Sequence, residues 1–599
     1  MQALILAAGM GRRLGELTRE NTKCMVKVHG RSLIERMLDQ LASLSVDRIV
    51  LVIGYEGQKV RDLVGQSYKG IPVCYVENEV YASTNNIYSL YLAKEFLLED
   101  DTILLESDLI LDDQILVDLT NNPYPSLAVV AKYQSWMDGT VLTLDDDCNI
   151  TGFIPKRDFD VTRIESYYKT VNIYKFSKSF STSHYVPFLQ AYTNALGNNE
   201  YYEQVLRVIT LLERPEIKAI KTTDKWYEID DIPDLNNAEV LFAPDDEKYG
   251  LVQGRYGGYW RYPDMLDYCY LVNPFFPNER LKAELRANFD VLLSSYPSGQ
   301  NVNNSLAGNV FRVDKDMILT GNGAAELIKG LMTVLEGTTA VVLPTFEEYP
   351  NAGQSSQIRF YTSSAEGFIY GLQDLKDWAA EHDQLLLINP DNPSGNYIKR
   401  EEVLELASYL LKSGKRLILD ESFVDFSDEG PDASLINGEV LNLYPNLLVV
   451  KSISKSYGVP GLRLGVLASA DATLLNDVRK HLSIWNINSF GEFFMQIIDK
   501  YKEDYVEACG QFRNERQRFL SDLQKIPYLQ VFPSQANYFL CRVLAPHKAG
   551  ELATRLLIED GVLVKDCRNK AGFDGAQFLR LAIRDKRDNN KLIKALMTK

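Results

Sequence analysis

Short apolar runs alternate with amphipathic stretches along the first part of the chain. Residues 3–6 (ALIL) form a run too short for a helix and read as a buried strand. Residues 33–41 carry apolar positions at helical spacing, and residues 48–54 (RIVLVIG) and 102–105 (TILL) read as further strands. Strand, helix and strand at this spacing predict a doubly wound α/β sheet. The pattern weakens at Pro244-Asp245-Asp246-Glu247-Lys248, and a Gly- and Tyr-rich stretch follows over 254–260. The α/β rhythm then resumes, with buried-strand runs at 340–343, 385–388, 417–419 and 447–450. The expected organisation is one domain over 1–244, a linker over 245–258 too short for a long flexible tether, and a second domain over 259–599. The two halves show no repeat of one another and no low-complexity tract.

The 599 residues exceed what one core supports, and 46% hydrophobic with 24% charged residues is ordinary globular composition. A net charge of −17 argues against a nucleic-acid partner but not against nucleotides, which are held by local groups. The seven cysteines include no CxxC pair, which predicts free thiols in a reducing cytosol. The five histidines show no HxH or HExxH spacing, so zinc has no support. The amino-terminal apolar run is broken by Gly9 and Gly11, and its basic residues follow rather than precede it, unlike a signal peptide. No apolar stretch has membrane-spanning length, so a soluble cytoplasmic protein without a membrane partner is expected.

The strand at 4–6 runs into Ala7-Ala8-Gly9-Met10-Gly11-Arg12-Arg13-Leu14. Small residues after a strand let backbone amides approach phosphate oxygens, which makes Leu6, Ala7, Ala8, Gly9 and Gly11 candidates for nucleotide contact. Arg12 and Arg13 add positive charge, and Lys23 is placed to neutralise an α-phosphate during attack. The run LAAGMGRRL, then Thr18, Thr22-Lys23 and Gly30-Arg31-Ser32-Leu33-Ile34, resembles the signature of the sugar-nucleotidyltransferase superfamily. It departs at Thr22, where many relatives carry Pro. Glu106-Ser107-Asp108 follows a strand, and Trp226-Tyr227-Glu228-Ile229-Asp230 lies far along the chain. The resemblance implies that Asp108 and Asp230 hold Mg2+, with Glu228 a further candidate there and towards the acceptor, and Glu106 and Ser107 beside the nucleotide. Asn85-Asn86-Ile87-Tyr88-Ser89-Leu90 resembles the phosphocholine cytidylyltransferase branch, which implies CTP and a small phosphorylated or phosphonylated amine. Ser83, Thr84 and Asn85 are then candidates for the cytidine or the acceptor, and Tyr133, Trp136 and Asp138 for the acceptor. An aromatic face beside a carboxylate suits an ammonium group, though Trp136 reads equally well as core and Lys156 equally as acceptor contact or solvated side chain.

In the second half, Ser452-Ile453-Ser454-Lys455-Ser456-Tyr457-Gly458 precedes Gly461-Leu462-Arg463-Leu464-Gly465. Upstream stand Gly321-Asn322-Gly323-Ala324-Ala325-Glu326, Pro344-Thr345-Phe346-Glu347-Glu348-Tyr349, Asn389-Pro390-Asp391-Asn392-Pro393-Ser394-Gly395 and Asp420-Glu421-Ser422-Phe423. Their identity and order resemble the fold-type I aminotransferases that use pyridoxal 5'-phosphate (PLP), in the branch of histidinol-phosphate aminotransferase and threonine-phosphate decarboxylase. That resemblance implies a large α/β domain with a smaller α+β domain, and a homodimer in which Tyr296 reaches the partner's cofactor phosphate. It implies that Lys455 carries the cofactor and then moves the substrate proton. Arg463, Ser452, Ser454 and the amides of Gly323, Ala324 and Ala325 would hold the cofactor phosphate, Asp420 the pyridinium nitrogen and Asn392 the phenolic oxygen. Either Phe346 or Tyr349 would stack on the ring. Arg580 would clamp the α-carboxylate of an amino-acid donor, and Arg584 and Arg568 are candidates for a phosphate or phosphonate group. Phe423 stands where transaminases of this type usually carry Tyr, a feature shared with some phosphate-substrate decarboxylases.

The two halves in this order resemble the fused phosphonate cytidylyltransferase and 2-aminoethylphosphonate transaminase of bacterial phosphonate biosynthesis. The expected activity is transamination of phosphonoacetaldehyde to 2-aminoethylphosphonate, then coupling with CTP to CMP-2-aminoethylphosphonate and pyrophosphate. The alternative is a phosphoserine-type decarboxylase joined to a CTP:phosphoethanolamine or phosphocholine cytidylyltransferase. A regulatory protein with degenerate catalytic folds is disfavoured because Lys23, Asp108, Asp230, Lys455, Asp420 and Asn392 are all intact. The sequence leaves open phosphonate against phosphate ester, the amino donor and channelling between the sites.

Overall fold

The computed structural model describes residues 1–212, 216–270 and 272–598. The chain divides into two compact units, Met1–Tyr256 and Gly257–Lys599. The stretch read from composition as a linker is helical over Asp245–Gln253. Pro244 precedes that helix, and Asp245, Asp246 and Glu247 lie in its first turn, where negative charge complements the helix dipole. No helix among the described residues is long and apolar enough to cross a membrane.

The first unit is built on a ten-stranded sheet. Strand Gln2–Ala7 is buried throughout and lies between Ile49–Ile53 and Thr102–Glu106, parallel to both. Its side chains alternate between two cores. Ala3, Ile5 and Ala7 pack with Ile34, Met37, Leu38 and Leu41 of helix Leu33–Ser43, while Leu4 and Leu6 pack with Ile87 and Leu90 of helix Asn86–Leu92. Burial on both faces is why these strands read as continuous apolar runs. Beyond Ile49–Ile53 the sheet continues to Ile71–Glu77, and the chain then returns to place Thr102–Glu106 on the other side of Gln2–Ala7. That reversal makes a topological switch point, the place where open α/β sheets bind ligands, at the carboxyl ends of Gln2–Ala7 and Thr102–Glu106. Strand Tyr168–Phe176 flanks Thr102–Glu106 antiparallel, with Ile173 opposite Leu105. A short ladder pairs Leu109–Leu111 with Trp226–Glu228, setting Glu228 opposite Leu109.

The second unit holds a seven-stranded sheet ordered Ile318–Asn322, Leu464–Ala468, Leu447–Ser452, Arg416–Asp420, Gln384–Ile388, Thr339–Leu343 and Ile358–Thr362. Leu464–Ala468 runs antiparallel to its two neighbours, and the other pairs are parallel. Leu385, Leu387, Leu417 and Leu419 face one core and Leu386, Ile388 and Ile418 the other. A smaller antiparallel sheet contains Leu529–Val531, Tyr538–Val543, Phe578–Ala582 and Lys565–Asp566. This is the large α/β and small α+β division of fold-type I enzymes.

Candidate active sites

In the first unit a cleft of about 1230 Å3 opens at the switch point. Leu6, Ala8, Gly9, Gly11, Arg12 and Arg13 form one wall and Glu106, Ser107 and Asp108 the floor. Gly11 has φ +59°, and a Cβ there would lie 3.0 Å from Lys23 Cβ, so both its conformation and the close lysine require glycine. Ala7 stays within the sheet, opposite Ile53.

Lys23 Nζ donates to Asp108 Oδ2 at 2.5 Å and to Asp230 Oδ1 at 2.6 Å, and Arg13 meets Asp230 Oδ2 at 2.9 Å. Burial pulls the Lys23 ammonium towards neutrality, but Asp108 and Asp230 outweigh it and hold the pKa above the ordinary lysine value. Glu106, Asp108 and Glu228 present carboxylate oxygens within 4.8 Å of one another. Asp108 Oδ1 is buried with no hydrogen-bond partner. Three converging carboxylates and an orphaned oxygen fit a hard divalent cation such as Mg2+, which would bridge phosphate oxygens when bound. The grouping differs from the expected pair: Glu228 joins Asp108, and Asp230 is bound to Lys23 and Arg13. Burial pushes the Glu228 carboxyl up to about 7, with Lys169 opposing and Asp108 adding to the rise. Burial, then Asp108, Glu203 and Glu228, raise Glu106 as well.

The remaining sequence candidates divide. Thr84 and Asn85 line the cleft, while Ser83 lies outside its lining and bonds Val80 O at 3.2 Å. Asn86 fixes the floor, donating to Glu106 Oε1 at 3.2 Å and accepting from the Tyr202 amide at 3.0 Å. Trp136 lines the cleft and also stacks on Tyr227 at 4.2 Å, so wall and core are one role. Tyr133 packs on Phe159 at 5.2 Å and is not part of the lining. Asp138 and Lys156 pair at 2.8 Å on the exposed rim. Residues that the motifs did not flag also line the cleft, among them Lys169, and Glu203, whose Oε2 is buried without a partner.

In the second unit Lys455 lies on a short helix that follows strand Leu447–Ser452. Its Nζ stands 5.7 Å from the centroid of the Phe423 ring. Burial lowers its pKa to about 8, aided by Arg580 and Arg463 and opposed by Asp420. Asp420 accepts from Tyr349 Oη at 2.8 Å and from the Ser422 amide at 2.9 Å, and burial raises its carboxyl. Of the two stacking candidates, Tyr349 is fully buried with its hydroxyl bonded to Asp420, and Phe346 is partly buried. Arg580 Nη1 donates to Asn392 Oδ1 at 2.7 Å and Nη2 to Cys269 O at 2.8 Å, while its Nε is buried without a partner.

The phosphate end is shaped by close packing. A Cβ on Gly323 (φ +76°) would lie 2.5 Å from Arg463 Nη2, and one on Gly465 2.4 Å from the Ala324 amide nitrogen. The start of helix Ala324–Val334, which includes Ala325, therefore sits against Arg463, and these groups fit the phosphate of PLP. When bound, the cofactor supplies an electron sink for the substrate's Cα bonds. Ser452 is buried, and its amide donates to Ser422 Oγ at 3.0 Å. The Ser454 hydroxyl accepts from the Leu464 amide at 3.1 Å and donates to Leu464 O at 3.3 Å, pinning the neighbouring strand. Arg568 is gripped by Asp566 at 2.7 Å, and Arg584 by Asp588 at 2.8 Å and Asp267 O at 2.9 Å, so both expected phosphonate ligands are engaged by protein oxygens. Tyr296 is 81% exposed and packs on Trp485 at 4.8 Å. Lys570, unflagged by the sequence, bonds Thr345 O at 3.2 Å and Glu347 Oε1 at 3.1 Å, on either side of Phe346.

Fold and sites together define a fusion of a nucleoside-triphosphate transferase with an enzyme of PLP-dependent type. Residues 3–154 match the MobA-like NTP transferase domain, and residues 272–596 match aminotransferase class I and II, the family to which the chain belongs. The chain is 31% identical over 600 residues to the CMP-5'-(3-aminopropyl)phosphonate synthase of Streptomyces rubellomurinus, covering 100% of this chain and 94% of that protein. It is 30% identical over 352 residues to the L-serine phosphate decarboxylase of Sulfurospirillum multivorans, covering 55% of this chain and 87% of the relative. Among solved structures, a decarboxylase from Sulfurospirillum multivorans matches with TM-score 0.52 and 29% identity over 56% of this chain and 89% of its own. The histidinol-phosphate aminotransferase from Clostridium acetobutylicum matches with TM-score 0.50 and 26% identity over 55% of this chain and 98% of its own.

Proposed function

We propose that this chain is a bifunctional enzyme of phosphonate biosynthesis that forms a small aminoalkylphosphonate in its second unit and joins it to CMP in its first. Its likeness over the whole length to a CMP-aminopropylphosphonate synthase carries this reading. In the first unit the acceptor is 2-aminoethylphosphonate and the nucleotide CTP. A phosphonate oxygen attacks the α-phosphorus, that P–O bond forms, and the bond to the bridging oxygen of pyrophosphate breaks. Lys23 stabilises charge at the α-phosphate, the amides of Gly9 and Gly11 with Arg12 hold the leaving pyrophosphate, and Glu106, Asp108 and Glu228 would hold Mg2+, which would supply charge neutralisation there.

In the second unit PLP is held by Lys455, Asp420, Asn392, Arg463 and the start of helix Ala324–Val334, and Arg580 receives a substrate α-carboxylate. The reaction there is transamination of phosphonoacetaldehyde by an amino-acid donor. A second reading, decarboxylation of an amino acid with a phosphonate or phosphate tail, is favoured by the apolar Phe423 ring facing Lys455. Both need the Arg580 clamp, and both yield a primary amine for the first unit. A homodimer is supported by exposed apolar side chains at Phe289, Val291, Leu293, Tyr296 and Trp485.

The test is pyrophosphate release from CTP and Mg2+ with 2-aminoethylphosphonate or phosphoethanolamine as acceptor. Preference for the phosphonate is expected, and no release with either overturns the reading. Keto acid against CO2 as the second unit's product separates transamination from decarboxylation.

A further inference from the structure

Lys169 is a buried cation of the cytidylyltransferase cleft that bonds neutral oxygens of Thr170 and Asn172, with its paired carboxylate, Glu228, 4.0 Å away. The residue is 5% exposed and lines the cleft. Its ammonium lies 4.0 Å from Glu228 Oε2, 3.3 Å from Thr170 O and 3.5 Å from Asn172 Oδ1, long contacts for a desolvated charge. By comparison, Lys23 in the same cleft makes contacts of 2.5 and 2.6 Å. Buried ions are stable only when closely paired, so an ammonium held this loosely marks a place for an anion.

Its position says which anion. Strand Tyr168–Phe176 pairs antiparallel with Thr102–Glu106, Ile173 opposite Leu105, so residues before 173 run past the carboxyl end of that strand, over the cleft. The strand order sets Thr102–Glu106, with its carboxylates, between Tyr168–Phe176 and the strand that leads into Gly9 and Gly11. Lys169 and the glycine loop therefore flank the cation site from opposite sides. In-line displacement needs the nucleophile to enter opposite the leaving group. With pyrophosphate on the glycine side, the nucleophile's own anion comes to the Lys169 side. Just beyond Lys169 the backbone is irregular: the register of Tyr168–Phe176 against Leu127–Lys132 shifts between Thr170 and Tyr174, and buried Asn172 takes φ +59°. Bulges and left-handed non-glycine residues of this kind re-aim side chains beside active sites.

We infer that Lys169 is the residue that binds the phosphonate of the acceptor, with Asn172 beside it. This rests on the proposed cytidylyl transfer and adds the acceptor's anion subsite to it. Lys169 pairs with a phosphonate oxygen not engaged in attack and draws the dianion away from Glu228. The expected acceptor is thus a dianionic phosphoryl compound, selected over neutral alcohols by the ammonium.

The experiment uses the full chain and two readouts. In steady-state turnover, Lys169→Met raises the acceptor KM about ten- to a hundredfold, the loss of a charge-assisted pair, while the KM for CTP stays within about twofold. Lys169→Arg recovers part of the loss. In a phosphorus NMR titration with methylphosphonate, in the presence of CMP and Mg2+, the wild type binds and Lys169→Met does not. An unchanged acceptor KM, equal rises in both KM values, or equal methylphosphonate binding by wild type and Lys169→Met overturns the assignment, as does no binding by the wild type. Methylphosphonate binding that depends on Lys169, in a protein that turns over no aminoalkylphosphonate, sinks the proposed acceptor and leaves the subsite standing.

Discussion

The guanidinium of Arg580 donates to the side-chain oxygen of Asn392 across 2.7 Å, tying the smaller sheet of the second unit to the loop after strand Gln384–Ile388. On the proposed function, one residue therefore orients the Asn392 amide towards the cofactor and receives the incoming carboxylate. Arg580→Met is expected to raise the KM for the amino-acid substrate about ten- to a hundredfold, as for loss of a bidentate charge-assisted pair. It also shifts the visible absorbance of the bound cofactor, since Asn392 loses its anchor. An unmoved spectrum with a raised KM would confine Arg580 to the carboxylate.

Lys455 has its ammonium pKa lowered to about 8, first by burial and then by Arg580 and Arg463. Its neutral, nucleophilic form grows as pH rises through that value. The rate at which cofactor-free protein takes up PLP should therefore climb between pH 7 and 9, about two units below the range of an ordinary lysine. Arg580→Met removes one positive neighbour and moves the midpoint upward. A midpoint near the ordinary lysine value would contradict the desolvated amine.

Glu228 titrates near 7 before a cation arrives, because burial disfavours its charged form. A carboxylate must ionise to bind a metal, so Mg2+ affinity is weaker at pH 6 and stronger at pH 8, by about tenfold for one coupled proton. Glu228→Gln should flatten that dependence and weaken binding at every pH. Calorimetric Mg2+ titrations at the two pH values check it, and chelation of the metal should stop pyrophosphate release.

Lys23 bridges Asp108 and Asp230, so Lys23→Met leaves both carboxylates without their shared cation. Pyrophosphate release should fall about 100- to 1000-fold, the usual loss of one preorganised group acting on developing charge. Amine formation in the second unit, assayed on the same sample, should not change.

Phe423→Tyr places a hydroxyl near the Lys455 amine. If decarboxylation is the native reaction, the ratio of keto acid to CO2 should rise by up to about tenfold, the worth of one hydrogen bond to a charged group. An unchanged ratio would show that residue 423 does not set the outcome.

The central strands were legible because burial on both faces leaves nothing but apolar side chains, as at 3–6 and 385–388. That Lys23 and Asp108 share one cleft was legible because motif order brings them together. Lys169 was not: no motif points to it, and the irregularity beyond it, between Thr170 and Tyr174, carries no glycine to announce it. The bond of the Ser454 hydroxyl with Leu464 was not legible, because Leu464 is a tertiary neighbour that motif reading does not reveal. Arg568 and Arg584 were assigned to a ligand although Asp566 and Asp588, two and four residues away, satisfy them locally. At 245–258, Gly and Tyr content suggested a linker, while Pro244 and the acidic triplet after it start a helix.

The ladder that sets Glu228 opposite Leu109 has a consequence for biosynthesis. The cation site draws Glu106 and Asp108 from one segment and Glu228 from another more than a hundred positions later. A ribosome that has released the strand Thr102–Glu106 has therefore made a metal site lacking one wall. On the proposed function, a nascent or prematurely terminated chain ending before the Trp226–Glu228 segment has paired with Leu109–Leu111 is therefore expected to be silent towards CTP.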